Sequence, residues 1–235
     1  MPRNTKPAVR VRAHSTREAI SDRVYAELLS RISDRKLVGG QVLVISELAS
    51  EFGCSSIPVR EALSRLRESQ LIDYKSMHGF RVAPLLTQEE TRALFIARLE
   101  LESTAARYAA AGFDKRIAGQ MADINGKIRR LSLGRLYRDY QEFVALNAAF
   151  HACMVSASGN RFLKQAYDAL GYNAQSARIL HGVGLPDQDS ICAEHDAIVR
   201  HLSAGDRTEA VSMVRNHICD GYARLFNERL EVING

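Results

Sequence analysis

The sequence predicts a mainly α-helical chain: an N-terminal winged helix-turn-helix domain, then a C-terminal antiparallel all-α bundle of about six helices. Three observations predict it. Apolar residues recur at helical spacing along most of the chain. The one place with short extended runs, around His78-Gly79, directly follows a basic helix. The excess positive charge is confined to one end: residues 1–86 hold 14 Lys and Arg against 9 Asp and Glu, and residues 87–235 hold 18 of each. A basic module beside a neutral one separates a polyanion-binding part from a part with another task.

Composition excludes several classes. Apolar residues make up 46% and charged residues 25%, ordinary values for a globular protein. No run approaches the roughly 18 apolar residues of a membrane span, so no membrane association is expected. Residues 1–16 are basic but contain no apolar h-region, and read as a flexible basic arm rather than a secretory signal. Cys54, Cys153, Cys192 and Cys219 are scattered without a CxxC pair, which fits reduced thiols and a cytoplasmic location.

The first module spans 17–86. Ile20, Val24, Leu28 and Ile32 form an apolar stripe over a helix at 17–36, broken at Gly39-Gly40. Ser46 is placed to cap a short helix ELASEF, which stops at Gly53. In GCSSIPVREALSRLR, residues 53–67, Ser55 or Ser56 can cap a third helix, and Pro58 is tolerated only in its first turn. Val59, Ala62, Leu63 and Leu66 would face the core, while Arg60, Ser64 and Arg67 share a polar, basic face. A helix N-terminus pointed at a phosphate offers free N–H groups and a positive dipole end, and arginine can pair bidentately with guanine or phosphate. With the hairpin tip at His78 and Gly79, this is the arrangement of a reader of double-stranded DNA.

The stretch SELASEFGCSSIPVREALSRLRESQLIDYKSMHGFRV resembles the DNA-binding signature of GntR-type bacterial transcription regulators. The ELA, the glycine before the turn, PVREAL-x-RL and the HGF wing tip carry the resemblance. It implies DNA contacts from Ser46, Ser55, Ser56, Ile57, Arg60, Ser64, Arg67, His78 and Gly79. The family's usual turn carries arginine and threonine where Ser56 and Ile57 stand here, so a relative's operator does not transfer to this chain.

The second module, 87–235, reads as helices at about 87–111 (capped by Thr87), 114–132, 136–157, 161–181, 187–203 and 206–229 (after Asp206). Gly182, Gly184 and Pro186 end the fourth. Its chemical content lies in polar residues inside apolar stripes. Asn147 and His151 stack four apart beside Phe143, Phe150 and Met154. His195 lies on the stripe of Ile191, Ile198 and Leu202, and His217 shares a face with Val214. Each histidine alone is more often a satisfied core residue. Together they offer three imidazole nitrogens and an amide oxygen, a donor set for zinc, nickel or another divalent transition metal.

LNAAFHACMVSASGN, AEHDAIVRHLSAGDRTEA and MVRNHI resemble the ligand-binding C-terminal domain of the FadR-type branch, called FCD. The resemblance implies a metal held by Asn147, His151, His195 and His217. Many relatives have aspartate at the first of these, and asparagine is a neutral, weaker donor. ARLELESTAARYAA matches the family's first bundle helix. Arg98 lies on its apolar stripe, where a buried guanidinium needs an anionic partner. Glu102, one turn on, is the local candidate. The resemblance implies instead a carboxylate effector, contacted by Arg98 and Asn147.

The expected function is therefore a homodimeric transcription regulator, a repressor by preference. The N-terminal module binds operator DNA, and a small organic acid bound with the metal controls its affinity. The competing reading is a metal-dependent hydrolase or lyase acting on a small organic acid. Against that reading, no general base is evident beside the histidines; Glu194 adjoins His195 on another face.

Overall fold

In a computed structural model the chain is described over residues 9–181 and 187–230, with side chains from Glu18 onward. The chain divides after Leu85 into two compact units.

The first unit opens with α1 (Val9–Ser33), whose stripe buries Val24, Leu28 and Ile32 completely or nearly so. Of the arm expected over 1–16, residues 1–8 lie outside the described residues and 9–16 form the first turns of α1. After it come β1 (Val42–Leu43), α2 (Ile45–Glu51) and α3 (Ser56–Glu68). Gly53, at φ +61°, makes the left-handed turn out of α2. α3 buries Pro58, Val59, Ala62, Leu63 and Leu66. It packs on α1 and α2. β2 (Ile72–Lys75) and β3 (Gly79–Val82) form the antiparallel hairpin, with Ile72 opposite Val82 and Lys75 opposite Gly79. β1 pairs with the other edge of β3, giving the order β1-β3-β2. That third strand, two residues long, is too short to show alternation in sequence.

The expected caps shift. The residue before α2 is Val44, so Ser46 lies inside the helix and caps nothing. α3 does start after Ser55, but the Ser55 hydroxyl makes no capping hydrogen bond.

The second unit is all helix. α4 (Gln88–Ala109) starts at a full capping box, in which Thr87 accepts from the Glu90 amide and Glu90 accepts from the Thr87 amide. α5 (Lys115–Arg129) and α6 (Tyr137–Ala157) follow. The single helix expected over 161–181 is two, α7 (Arg161–Ala169) and α8 (Tyr172–Leu180). Gly171, at φ +61°, ends one and starts the other, so seven helices are described rather than six. The break expected at Gly182, Gly184 and Pro186 lies outside the described residues. α9 (Gln188–Ala204) and α10 (Arg207–Phe226) complete the unit. Asp114, Asp187 and Asp206 each cap a helix through the side chain.

Five of these helices close a ring. α4 packs on α6, α6 on α5, α5 on α9, α9 on α10 and α10 back on α4, while α7 and α8 lie against α6. Phe95, Leu99, Met121, Phe150, Ile198 and Tyr222 fill its interior.

Leu63, fully buried, is expected to lose about 2–5 kcal/mol of local stability on substitution by alanine. Hydrogen exchange of the slowest amides of α1 and α3 measures this. A change below about 1 kcal/mol would mean that the α1–α3 packing is not what stabilises the unit.

Candidate functional site: a buried polar centre and a helix-turn-helix face

α3 turns its apolar stripe onto α1, which leaves Ile57, Arg60, Ser64 and Arg67 at i, i+3, i+7 and i+10 on one exposed face. Ser55 and Ser56 are exposed at its start and Ser46 on α2. Ile57 is 51% exposed, unusual for its type. Arg65, on the same helix, is engaged elsewhere: it pairs with Asp22 at 2.6 Å and stacks on Tyr25. At the hairpin tip His78 is exposed and Gly79 half-buried.

In the second unit every helix of the ring sends at least one polar side chain to a common centre. α6 supplies His151, α9 His195, α10 His217, α4 Glu102 and α5 Asn125, all buried. The three imidazoles offer nitrogen atoms within 4.8 Å of one another. His151 Nε2 and His217 Nε2 lie 3.1 Å apart, and His195 stacks flat on Phe150 with ring centroids 3.8 Å apart.

Each ring is held by its other nitrogen. His151 Nδ1 donates to Glu102 Oε2 at 2.6 Å, and His217 Nδ1 to Glu194 Oε2 at 2.7 Å. His195 Nδ1 lies 3.1 Å from Asn125 Oδ1. The amide of Asn125 is oriented by its own donations, to the Cys192 carbonyl at 2.9 Å and to Asp196 Oδ1 at 2.6 Å. Its oxygen is thus the acceptor, and His195 carries its proton on Nδ1. All three Nε2 atoms then present lone pairs to the centre. Among the described residues His195 Nε2 has no hydrogen-bond partner.

Burial keeps His151 and His195 neutral. Desolvation brings His151 down to about 4, against the opposing pull of Glu102. Desolvation and the neighbouring rings hold His195 well below the usual imidazole value. Burial works the other way on Glu102, but Arg98 and His151 outweigh it and hold its carboxyl down at about 2. Neutral imidazoles are the form that binds metal. With one proton on each ring, lone pairs facing each other at 3.1 Å repel unless a cation lies between them, an arrangement that fits a metal ion. Asn147 is half-buried on the wall of the adjoining cavity, beside His217.

That cavity, about 60 Å³, is also lined by Arg98, Tyr172, Ser176 and Arg224. Arg98 donates from Nε to Glu102 Oε1 at 2.5 Å and lies over the Tyr172 ring at 4.0 Å. The local partner of Arg98 is therefore Glu102. Its Nη2 is buried without a hydrogen-bond partner among the described residues. Arg224 forks onto Glu194, from Nη1 at 2.6 Å and Nη2 at 2.9 Å.

Sequence reasoning brings together Arg98, His151, His195 and His217 but misses Asn125 and Arg224. It also sets Glu194 aside. The signal for Asn125 is a polar residue on the stripe of Met121, Ile124 and Ile128. Glu194 does leave the face of His195, but only to reach His217 on α10.

Comparison with known proteins decides the family. Residues 20–82 match the model of bacterial regulatory proteins of the gntR family, and residues 93–220, more than half of the chain, match the FCD domain. The chain belongs to the GntR family, with an FCD domain. It is similar to a Paenarthrobacter nicotinovorans protein named "Probable D-xylose utilization operon transcriptional repressor", 28% identical over 86% of this chain and 87% of the relative. It is also similar to the gluconate operon transcriptional repressor of Bacillus licheniformis, 24% identical over 82% of this chain and 79% of that one. Among solved structures, E. coli McbR/YncC shares the fold at a TM-score of 0.68 and 19% identity, over 88% of this chain and 97% of that one. This GntR-family chain is a DNA-binding transcriptional regulator, which sets aside the hydrolase or lyase reading. No helix among the described residues is long and apolar enough to cross a membrane.

The depressed value of His151 gives a sign for pH. A folded value near 4, below the unfolded 6.5, means that the unfolded chain binds the proton first as pH falls. The stability that His151 contributes is complete above about pH 6.5 and is lost as pH falls toward 4. For chelator-treated protein, the urea midpoint is expected to fall across that window. His151→Gln should make the slope shallower, and an unchanged slope would contradict a neutral buried imidazole.

Proposed function

We propose that this GntR-family regulator is a homodimeric repressor that binds a divalent transition metal, zinc or nickel, and a small carboxylate effector in its FCD domain. The observation that carries the reading is the convergence of three lone-pair nitrogens, each anchored by its Nδ1 proton, on the edge of a cavity bearing two arginines. His151, His195 and His217 would hold the metal, with Asn147 as an oxygen donor. A metal bound there supplies a fixed positive charge that attracts an anion. The chain's own residues do the rest: Arg98 offers its buried Nη2 to a carboxylate, and Tyr172 and the apolar side chains of Phe143 and Ile191 limit its size. A cavity of about 60 Å³ has room for roughly four or five water-sized groups. One relative carries the name of a gluconate operon repressor, which makes short-chain hydroxy acids the first compounds to screen.

The first unit reads the operator through Ser46, Ser55, Ser56, Ile57, Arg60, Ser64 and Arg67, with His78 and Gly79 at the wing. A dimer matches the two half-sites typical of helix-turn-helix operators. Effector binding shifts the dimer between states of different operator affinity, and coupling of about 1–3 kcal/mol gives roughly 5–150-fold.

Two substitutions separate the halves of this reading. Arg60→Ala is expected to weaken operator binding by about 1–3 kcal/mol in gel shift, and an unchanged binding curve would remove its base or phosphate contact. His195→Ala is expected to abolish stoichiometric metal while leaving operator binding in place. Full metal content in that variant, by elemental analysis, would rule out the three-histidine site.

A further inference from the structure

Two of the three imidazoles are tied to the cavity wall by matching chains of side chains. Arg98 donates to one oxygen of Glu102, whose other oxygen accepts from His151. Arg224 forks onto Glu194, whose Oε2 also accepts from His217. Both arginines line the cavity and both glutamates stand behind an imidazole. The third ring differs, because His195 rests on the neutral amide of Asn125 and that residue does not line the cavity.

The chemistry of a shared carboxylate follows directly. A glutamate that accepts from a histidine N–H raises the electron density on the opposite nitrogen and so its strength as a metal ligand. A guanidinium on the same carboxylate draws charge away from that bond. In the second chain Oε2 of Glu194 is divided between His217 Nδ1 at 2.7 Å and Arg224 Nη2 at 2.9 Å. Arg224 also keeps a buried Nε without a hydrogen-bond partner among the described residues. An anion in the cavity that engages this guanidinium competes with Glu194 for it.

We infer that Glu194 is a positioning residue for the metal centre and that Arg224, acting through Glu194, attenuates His217 as a ligand, so that the cavity wall sets the affinity of the centre. This rests on the metal reading above. It gives the effector a route to the metal through the protein, separate from any direct bond between them. Arg98, Glu102 and His151 repeat the device, but all three are almost wholly buried. Arg224 and Glu194 are partly exposed, at 23% and 22% of their side-chain surface, and tolerate substitution better.

The test uses zinc alone and the full chain, with affinity read by competition against a chelating dye. Glu194→Gln is expected to weaken zinc binding by about 10–100-fold, the usual worth of such a partner. Arg224→Gln, which mimics complete withdrawal of the guanidinium, is expected to tighten it by about tenfold. In the double variant, Arg224→Gln should add nothing to Glu194→Gln, because the arginine acts through the glutamate. Arg224→Lys, which keeps the charge and loses the fork, should fall between wild type and Arg224→Gln, and it replaces Arg224→Gln if that variant does not fold. Three results overturn the inference: an Arg224→Gln affinity equal to or weaker than wild type, equal tightening in both backgrounds, or an unchanged Glu194→Gln. Wild-type protein that binds no stoichiometric zinc overturns the metal reading itself.

Discussion

Three imidazoles buried in one place, each anchored by Nδ1 with its Nε2 turned to the others, is the constraint around which the second unit is arranged. The Nδ1 protons are committed to Glu102, Asn125 and Glu194, so rotation of a ring would break a buried hydrogen bond. The 3.1 Å approach of His151 Nε2 to His217 Nε2 is thus held in place. Each helix of the closed ring supplies at least one group, which means that the centre forms only when all five are docked. A cation there would bind the folded unit and not the unfolded chain, and so would stabilise the ring as a whole.

The charges around the centre cancel in pairs. Arg98 faces Glu102 and Arg224 faces Glu194. A divalent ion adds positive charge to a site already balanced, which is why an anion is the natural companion in the adjoining cavity. The break at Gly171 serves this arrangement. By ending α7 and restarting the chain as α8, it sets Tyr172 under the Arg98 guanidinium, where a continuous helix would carry residue 172 along the α7 axis.

Much of this is legible in the residues. His151, His195 and His217 stand out because each interrupts an apolar stripe, and a polar residue on a core face requires a reason. The recognition helix stands out because its buried and basic faces separate at helical spacing. What escapes the sequence is governed by partners distant along the chain. Glu194 lies about 100° around α9 from His195, and only the docking of α10 turns that displaced face into a contact with His217. Asn125 finds its role through Cys192 and Asp196, some 70 residues away. Gly171 sits in a pattern that continues across it, so its left-handed φ is invisible until the chain is folded. The misplaced cap at Ser46 has a local cause: the short strand β1 ends at Leu43 and α2 begins two residues later, before the serine.

The helix-turn-helix unit and the FCD unit are thus both built on one rule, an apolar stripe that fixes which polar residues are left over and where they point. The direct measurement is X-ray absorption at the metal edge on protein purified without chelator. The account predicts a divalent transition metal at about one per chain, bound by three imidazole nitrogens with oxygen donors completing the shell. Protein without metal, or a metal bound by sulfur or by water alone, would contradict it.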